Sequence, residues 1–172
     1  MRHVAFFRNV NQGQRGHPAT LDLVGAFADE RIPDAVAFQS NGTVVFSARD
    51  GDAVAAAVRE RLADRGVFGD VIHVRPLSFI EEVVQVHAGA PDGARRELTL
   101  FSRAGALDPT AIERESSRRL CRVVEVGDGW AVVRNDRERQ SNGTSTIEAV
   151  LGAPATSRGL PSLVRLVARF AA

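Results

Sequence analysis

Along the first half of the chain the apolar positions fall into short blocks whose spacing alternates between two periods. Residues 3–9 are apolar at both parities (Val4, Ala5, Phe6, Phe7), the pattern of a strand covered on both faces. A polar, glycine-containing stretch, 10–17, separates it from residues 18–31. There Leu21, Val24 and Ala28 recur on a helical stripe with Phe27 beside it, and Pro18 sits in the first turn. Two β-rich runs, 35–40 and 43–48, flank Asn41-Gly42, a dipeptide that tolerates the positive φ of a two-residue hairpin turn. Residues 52–65 place Val54, Val58 and Leu62 at i, i+4 and i+8 and stop at Gly66, and 70–75 closes the series as a strand.

Strand, helix, strand, strand, helix, strand is the order of a ferredoxin-like half. The rest of the chain reads as a looser echo. Residues 77–88 form a linking helix, 97–102 a strand and 109–119 a helix with proline near its start. Residues 120–126 and 130–135 form a hairpin about Gly127-Asp128-Gly129. A short helix over 146–151, a break at Gly152-Ala153-Pro154 and a terminal helix over 160–171 follow. The expectation is an α+β protein of two ferredoxin-like, βαββαβ-type halves, 1–76 and 77–172, packed as one compact unit with the second half irregular. The pentamer Gln39-Ser40-Asn41-Gly42-Thr43 recurs letter for letter at Gln140-Ser141-Asn142-Gly143-Thr144. One pair of pentamers supports a duplication only weakly, because the first copy precedes a strand and the second a helix.

Composition removes chemistry from this picture. The 172 residues include 22 basic and 21 acidic ones, a net charge of +1, so no global field gathers nucleic acid or an anionic membrane. Every basic side chain other than histidine is arginine. Without lysine there is no Schiff base, no pyridoxal aldimine and no Walker A loop. One cysteine, Cys121, allows no internal disulfide or paired-thiol redox site, and it reads as a small apolar residue starting a strand. No apolar run approaches a membrane span and the opening residues lack a signal-peptide pattern, so a cytoplasmic location is expected.

Three elements then carry a resemblance. They are Phe6-Phe7-Arg8-Asn9-Val10-Asn11-Gln12-Gly13 after the first strand, Gln39-Ser40-Asn41-Gly42-Thr43-Val44-Val45-Phe46 at the hairpin, and Ala155-Thr156-Ser157-Arg158-Gly159-Leu160 before the last helix. In this order, and over nearly the whole chain, they resemble the bacterial domain-of-unknown-function 1697 family. The resemblance implies a two-part α+β fold of ferredoxin-like halves and no established activity, so no catalytic residue is carried over from it.

In a ferredoxin-like half the first two strands run in the same direction, which brings the loop after the first and the hairpin after the second to one edge. Arg8, Asn9, Asn11, Gln14, Arg15 and His17 are thereby expected near Gln39, Ser40 and Asn41. Guanidinium and amide donors with few carboxylates suit a phosphate, a carboxylate or a nucleotide edge. The plainer alternative is that Asn and Gly make turns and the arginines are solvated. Thr156 and Arg158 are candidates for an anion site at the N-terminus of the last helix, or Thr156 or Ser157 simply caps it. His3, His17, His73 and His87 show no helical metal-ligand spacing, and only His17 falls in a polar loop, as the one candidate acid or base. Arginine clusters at 95–96, 118–122 and 134–139 suit a nucleic-acid backbone if they converge, or solvated faces interleaved with glutamates if they do not. The expected function is a binding or accessory protein holding an anionic small molecule or RNA. The alternatives are an enzyme acting on a phosphorylated or carboxylated substrate and a protein-interaction module. No metal, cofactor or membrane is expected, and the protein is expected as a monomer or weak homodimer.

Overall fold

The computed structural model describes residues 1–102 and 106–171. The chain divides into two units, Met1–Phe79 and Ile80–Ala172, each built around a four-stranded antiparallel sheet.

The first unit comprises β1 (Arg2–Phe7), α1 (Thr20–Asp29), β2 (Val36–Phe38), β3 (Thr43–Ser47), α2 (Gly51–Asp64) and β4 (Ile72–Pro76). Its sheet has the order β2-β3-β1-β4. Strand β1 is interior, paired with β3 through Val4↔Val45 and with β4 through Val4↔Arg75. That position explains its apolar residues at both parities: Val4, Ala5, Phe6 and Phe7 are all fully buried. Ala5 and Phe7 join Leu23, Phe27, Phe46, Val58 and Leu62 in one core. Each large side chain so buried contributes roughly 1.5–3 kcal/mol relative to exposure. Asp50 caps α2, its Oδ1 accepting from Ala53 N at 3.0 Å.

Two local expectations are corrected here. Helix α1 turns Leu23, Ala26 and Phe27 inward and leaves Leu21 81% exposed. The stripe is rotated from the one expected because Phe27 packs against the rings of Phe7 and Phe46, at 6.4 and 4.8 Å between centroids. The hairpin exists, but its loop has four residues, with Phe38 opposite Thr43. Gln39 and Gly42, at φ 59 and 69, supply its left-handed positions.

Helix α3 (Leu77–His87) follows β4 directly. The second unit continues with a 3-10 turn at Gly93–Arg95, β5 (Arg96–Phe101), α4 (Pro109–Arg118), β6 (Cys121–Gly127), β7 (Trp130–Asn135), α5 (Gly143–Leu151), β8 (Ala155–Gly159) and α6 (Leu160–Phe170). Its sheet has the order β6-β7-β5-β8, and Phe101, Cys121, Ala131, Val133, Ile147 and Ala155 form its core. The hairpin between β6 and β7 turns on Asp128-Gly129, since Gly127 already pairs with Trp130. Strand β8 is the element the sequence pattern does not announce. Ala155–Gly159 reads as a loop leading into the last helix, yet it pairs with β5 from Glu97↔Gly159 to Phe101↔Ala155. The pentamer echo has no structural counterpart either. Its first copy runs from the β2–β3 turn into β3, and its second runs from the segment after β7 into α5.

Candidate functional site

The loop 8–17 and the turn 39–42 do meet at one edge of the first sheet. Phe7 N donates to Gly42 O at 2.7 Å and Gln12 N to Ser40 O at 2.8 Å. A Cβ on Gly42 would fall 2.7 Å from Val10 Cβ and 2.9 Å from Phe7 Cβ, so this approach of loop and turn requires a glycine. Two tight turns within the loop, closed by Gln14 N to Asn11 O and His17 N to Gln14 O, place Asn11, Arg15 and His17 on successive bends.

The donors at this edge differ in how far they are already used. Arg8 Nη1 forms an ion pair with Asp70 Oδ2 at 2.8 Å, and Asn9 Nδ2 donates to the same oxygen at 3.1 Å. The Asn41 amide lies 3.5 Å from Gln39 Oε1, and its oxygen accepts from Thr43 Oγ1 at 2.8 Å, so these side chains brace the turn. Arg15 is exposed and, among the described residues, has no ion pair. His17 is held in one orientation, with Asn11 N donating to its Nδ1 at 3.1 Å. A backbone N–H only donates, so Nδ1 is the unprotonated nitrogen and Nε2 carries the hydrogen.

Thr156 and Arg158 are on β8 of the second unit, and both are buried. Arg158 Nη1 donates to Thr156 Oγ1 at 2.9 Å and to Ser157 O at 2.8 Å. Burial pushes its guanidinium down to about 10. Neither residue stands at a helix N-terminus, since α6 starts after Gly159. The arginine clusters are only partly paired: Arg122, Arg137 and Arg139 are exposed and have no ion pair among the described residues. Arg114, Arg118 and Arg119 converge on Glu115, Arg96 pairs with Asp92, and Arg134 pairs with Asp136.

Two polar constellations of the second unit escape sequence reading. Glu97, on β5, is 2% exposed. Its carboxylate accepts from Asn135 Nδ2 at 3.1 Å, Ser141 Oγ at 2.6 Å and Gly143 N at 2.6 Å, so it closes the start of α5 from within. Beside it, the Ser157 hydroxyl bonds those of Thr99 and Thr144, each at 2.8 Å. In the second constellation, buried His87 lies between Arg96 Nη1 at 2.9 Å and Glu125 Oε2 at 2.9 Å. Arginine only donates, so here too Nδ1 is the acceptor and the Nε2 hydrogen faces the carboxylate. The one sequence signal for either group is a charged residue within an apolar run, Glu97 ahead of Leu98 and Glu125 between Val124 and Val126.

Comparison with known families places residues 1–124 within the family described as Protein of unknown function (DUF1697). No curated protein matches the chain. Among solved structures, the conserved bacterial protein SP0830 from Streptococcus pneumoniae is similar, with a TM-score of 0.66 at 13% identity over 96% of each chain. That likeness is one of fold.

Proposed function

The chain belongs to the domain-of-unknown-function 1697 family, a membership that brings no activity with it, and from the geometry of the 8–17 edge we propose that it is a cytoplasmic binding protein holding one small anionic group, a phosphate or a carboxylate. The observation that carries this reading is the fixed ring of His17. With Nδ1 engaged by Asn11 N, its Nε2–H is left as a donor on the same short loop as the exposed Arg15, which has no ion pair among the described residues. Asn11 and Ser40 extend the donor set, Arg8, Asn9 and Asp70 tie the loop to the start of β4, and Gln39 and Asn41 shape the turn.

The same geometry favours binding over catalysis. A general base at His17 needs an open lone pair, and the Nδ1 lone pair is occupied. We also read each unit as a ferredoxin-like half and the chain as an internal duplication. The support is the matching orders β2-β3-β1-β4 and β6-β7-β5-β8. Arg75 and Arg158 also occupy equivalent positions, opposite Val4 and Leu98, each two residues before a leucine that opens a helix.

The test is thermal unfolding at low salt against inorganic phosphate, citrate and adenosine monophosphate. A saturable rise in Tm is expected, lost in Arg15→Ala and reduced in His17→Ala. Asp70→Asn, which releases Arg8, should tighten phosphate binding severalfold. No shift with any of the three anions would overturn the reading.

A further inference from the structure

Helix α4 and the edge strand β6 leave between them an open hollow of about 890 Å³, within the size range of small-molecule sites. Its apolar lining includes Leu107, Ile112, Leu120 and Val124. Leu120 and Val124 are exposed there, although they are large apolar side chains. Two of its lining residues carry buried donors with no partner among the described residues: the Ser116 hydroxyl and Arg134 Nε. Ser116 is 5% exposed. Within a helix its hydroxyl would ordinarily bond back to a carbonyl one turn earlier, and it does not. Arg134 directs Nη2 to Asp136 at 3.3 Å and leaves Nε unanswered. Of the acids on the lining, Asp136 is engaged by Arg134 and Glu125 by His87, while Glu113 stands on the exposed rim. Buried donors without acceptors are rare in folded proteins and call for a partner.

We infer that this hollow is a binding site for an apolar molecule carrying one carboxylate, its oxygen acceptors answering Ser116 and Arg134 and its apolar body covering Ile112, Leu120 and Val124. The site lies in the second unit and does not depend on the anion edge of the first.

Cys121 supplies a reporter, because it is the only thiol of the chain and lines the same hollow. Burial pushes this thiol up, against the effect of its contact with Thr146 Oγ1, so alkylation is followed at alkaline pH, held constant across all samples. Octanoate at roughly ten times its Kd should slow alkylation of Cys121 about tenfold and raise Tm. Octylamine and acetate should do neither. Arg134→Met and Ile112→Asp should each remove the octanoate effect. Failure of octanoate to protect, equal protection by octylamine, or full protection in a correctly folded Arg134→Met protein would each overturn the assignment.

Discussion

At the scale of single residues, the two helix starts show how one backbone problem receives different side chains. Gly51 opens α2 against His3, and Gly143 opens α5 against Glu97. A Cβ at Gly51 would lie 2.6 Å from His3 Nδ1, and one at Gly143 would lie 2.9 Å from Glu97 Oε1 and closer still to Thr99 Oγ1. Of these two partners only Glu97 accepts from a helix N–H, that of Gly143, whereas α2 is capped by Asp50. Glu97 is therefore the most consequential polar side chain of the second unit. Glu97→Ala removes the acceptor of Asn135, Ser141 and Gly143; Ser141 is exposed and Asn135 Nδ2 keeps Arg95 O at 3.4 Å, so the Gly143 N–H is the buried donor left without a partner, at a cost of about 1–3 kcal/mol. Chemical denaturation should accordingly show a loss of about 2 kcal/mol for Glu97→Ala and a smaller one for Glu97→Gln. A loss under about 1 kcal/mol in the alanine variant would mean that water reaches this cluster.

At the scale of elements, one carboxylate gathers three arginines along α4 and its C-terminal end. Glu115 lies 3.0 Å from Arg114 Nε, 3.6 Å from Arg118 Nη1 and 2.5 Å from Arg119 Nη1. Hydrogen bonds from Arg119 and then Arg114 hold its carboxyl below the usual carboxylate range, against the opposing effect of burial. A depressed folded value stabilises the protein above the unfolded carboxylate pKa of about 4.3, and that stability is lost as pH falls through the lower folded value. The stability gap between the native chain and Glu115→Gln should accordingly be widest above about pH 5 and close progressively below about pH 4. Urea titrations at a series of pH values would measure it, and a gap that does not vary with pH would remove Glu115 from the account.

Elements also differ in how legible they are. Strand β1 announces itself because two buried faces require apolar residues at both parities, and α2 because its stripe is regular. Strand β8 does not, because Ala155-Thr156-Ser157-Arg158-Gly159 has no apolar alternation and becomes a strand through the open edge of β5. The rotation of α1 was hidden for a related reason: periodicity marks Leu21 and Phe27 alike, and the aromatic cluster decides which turns inward. The meeting of loop 8–17 with turn 39–42 followed from strand direction alone. The tie from Arg8 to Asp70 spans 62 residues and has no local signature.

At the scale of the whole molecule, the balance of 22 basic and 21 acidic residues and the local pairing of some of these arginines bear on whether RNA is a credible ligand. A surface that tracks a nucleic-acid backbone needs several uncommitted cations in a row, and each phosphate neutralised on a single strand contributes about −0.7 to the slope of log K against log salt. Here Arg96, Arg114, Arg118, Arg119 and Arg134 answer acidic side chains within their own unit. The edge at 8–17 offers Arg15 and the donor face of His17 as its uncommitted groups. One bound anionic group therefore predicts a slope no steeper than about −1 for any oligonucleotide that binds. Anisotropy titrations of a short labelled RNA from low to physiological salt would separate the cases. A slope steeper than about −3 would show that arginines of the second unit, the exposed Arg122, Arg137 and Arg139 among them, are recruited to the strand, and would move the site from the first unit to the basic faces of the second. A slope near −1, abolished by Arg15→Ala, keeps the site at the edge and makes the oligonucleotide a carrier of one phosphate.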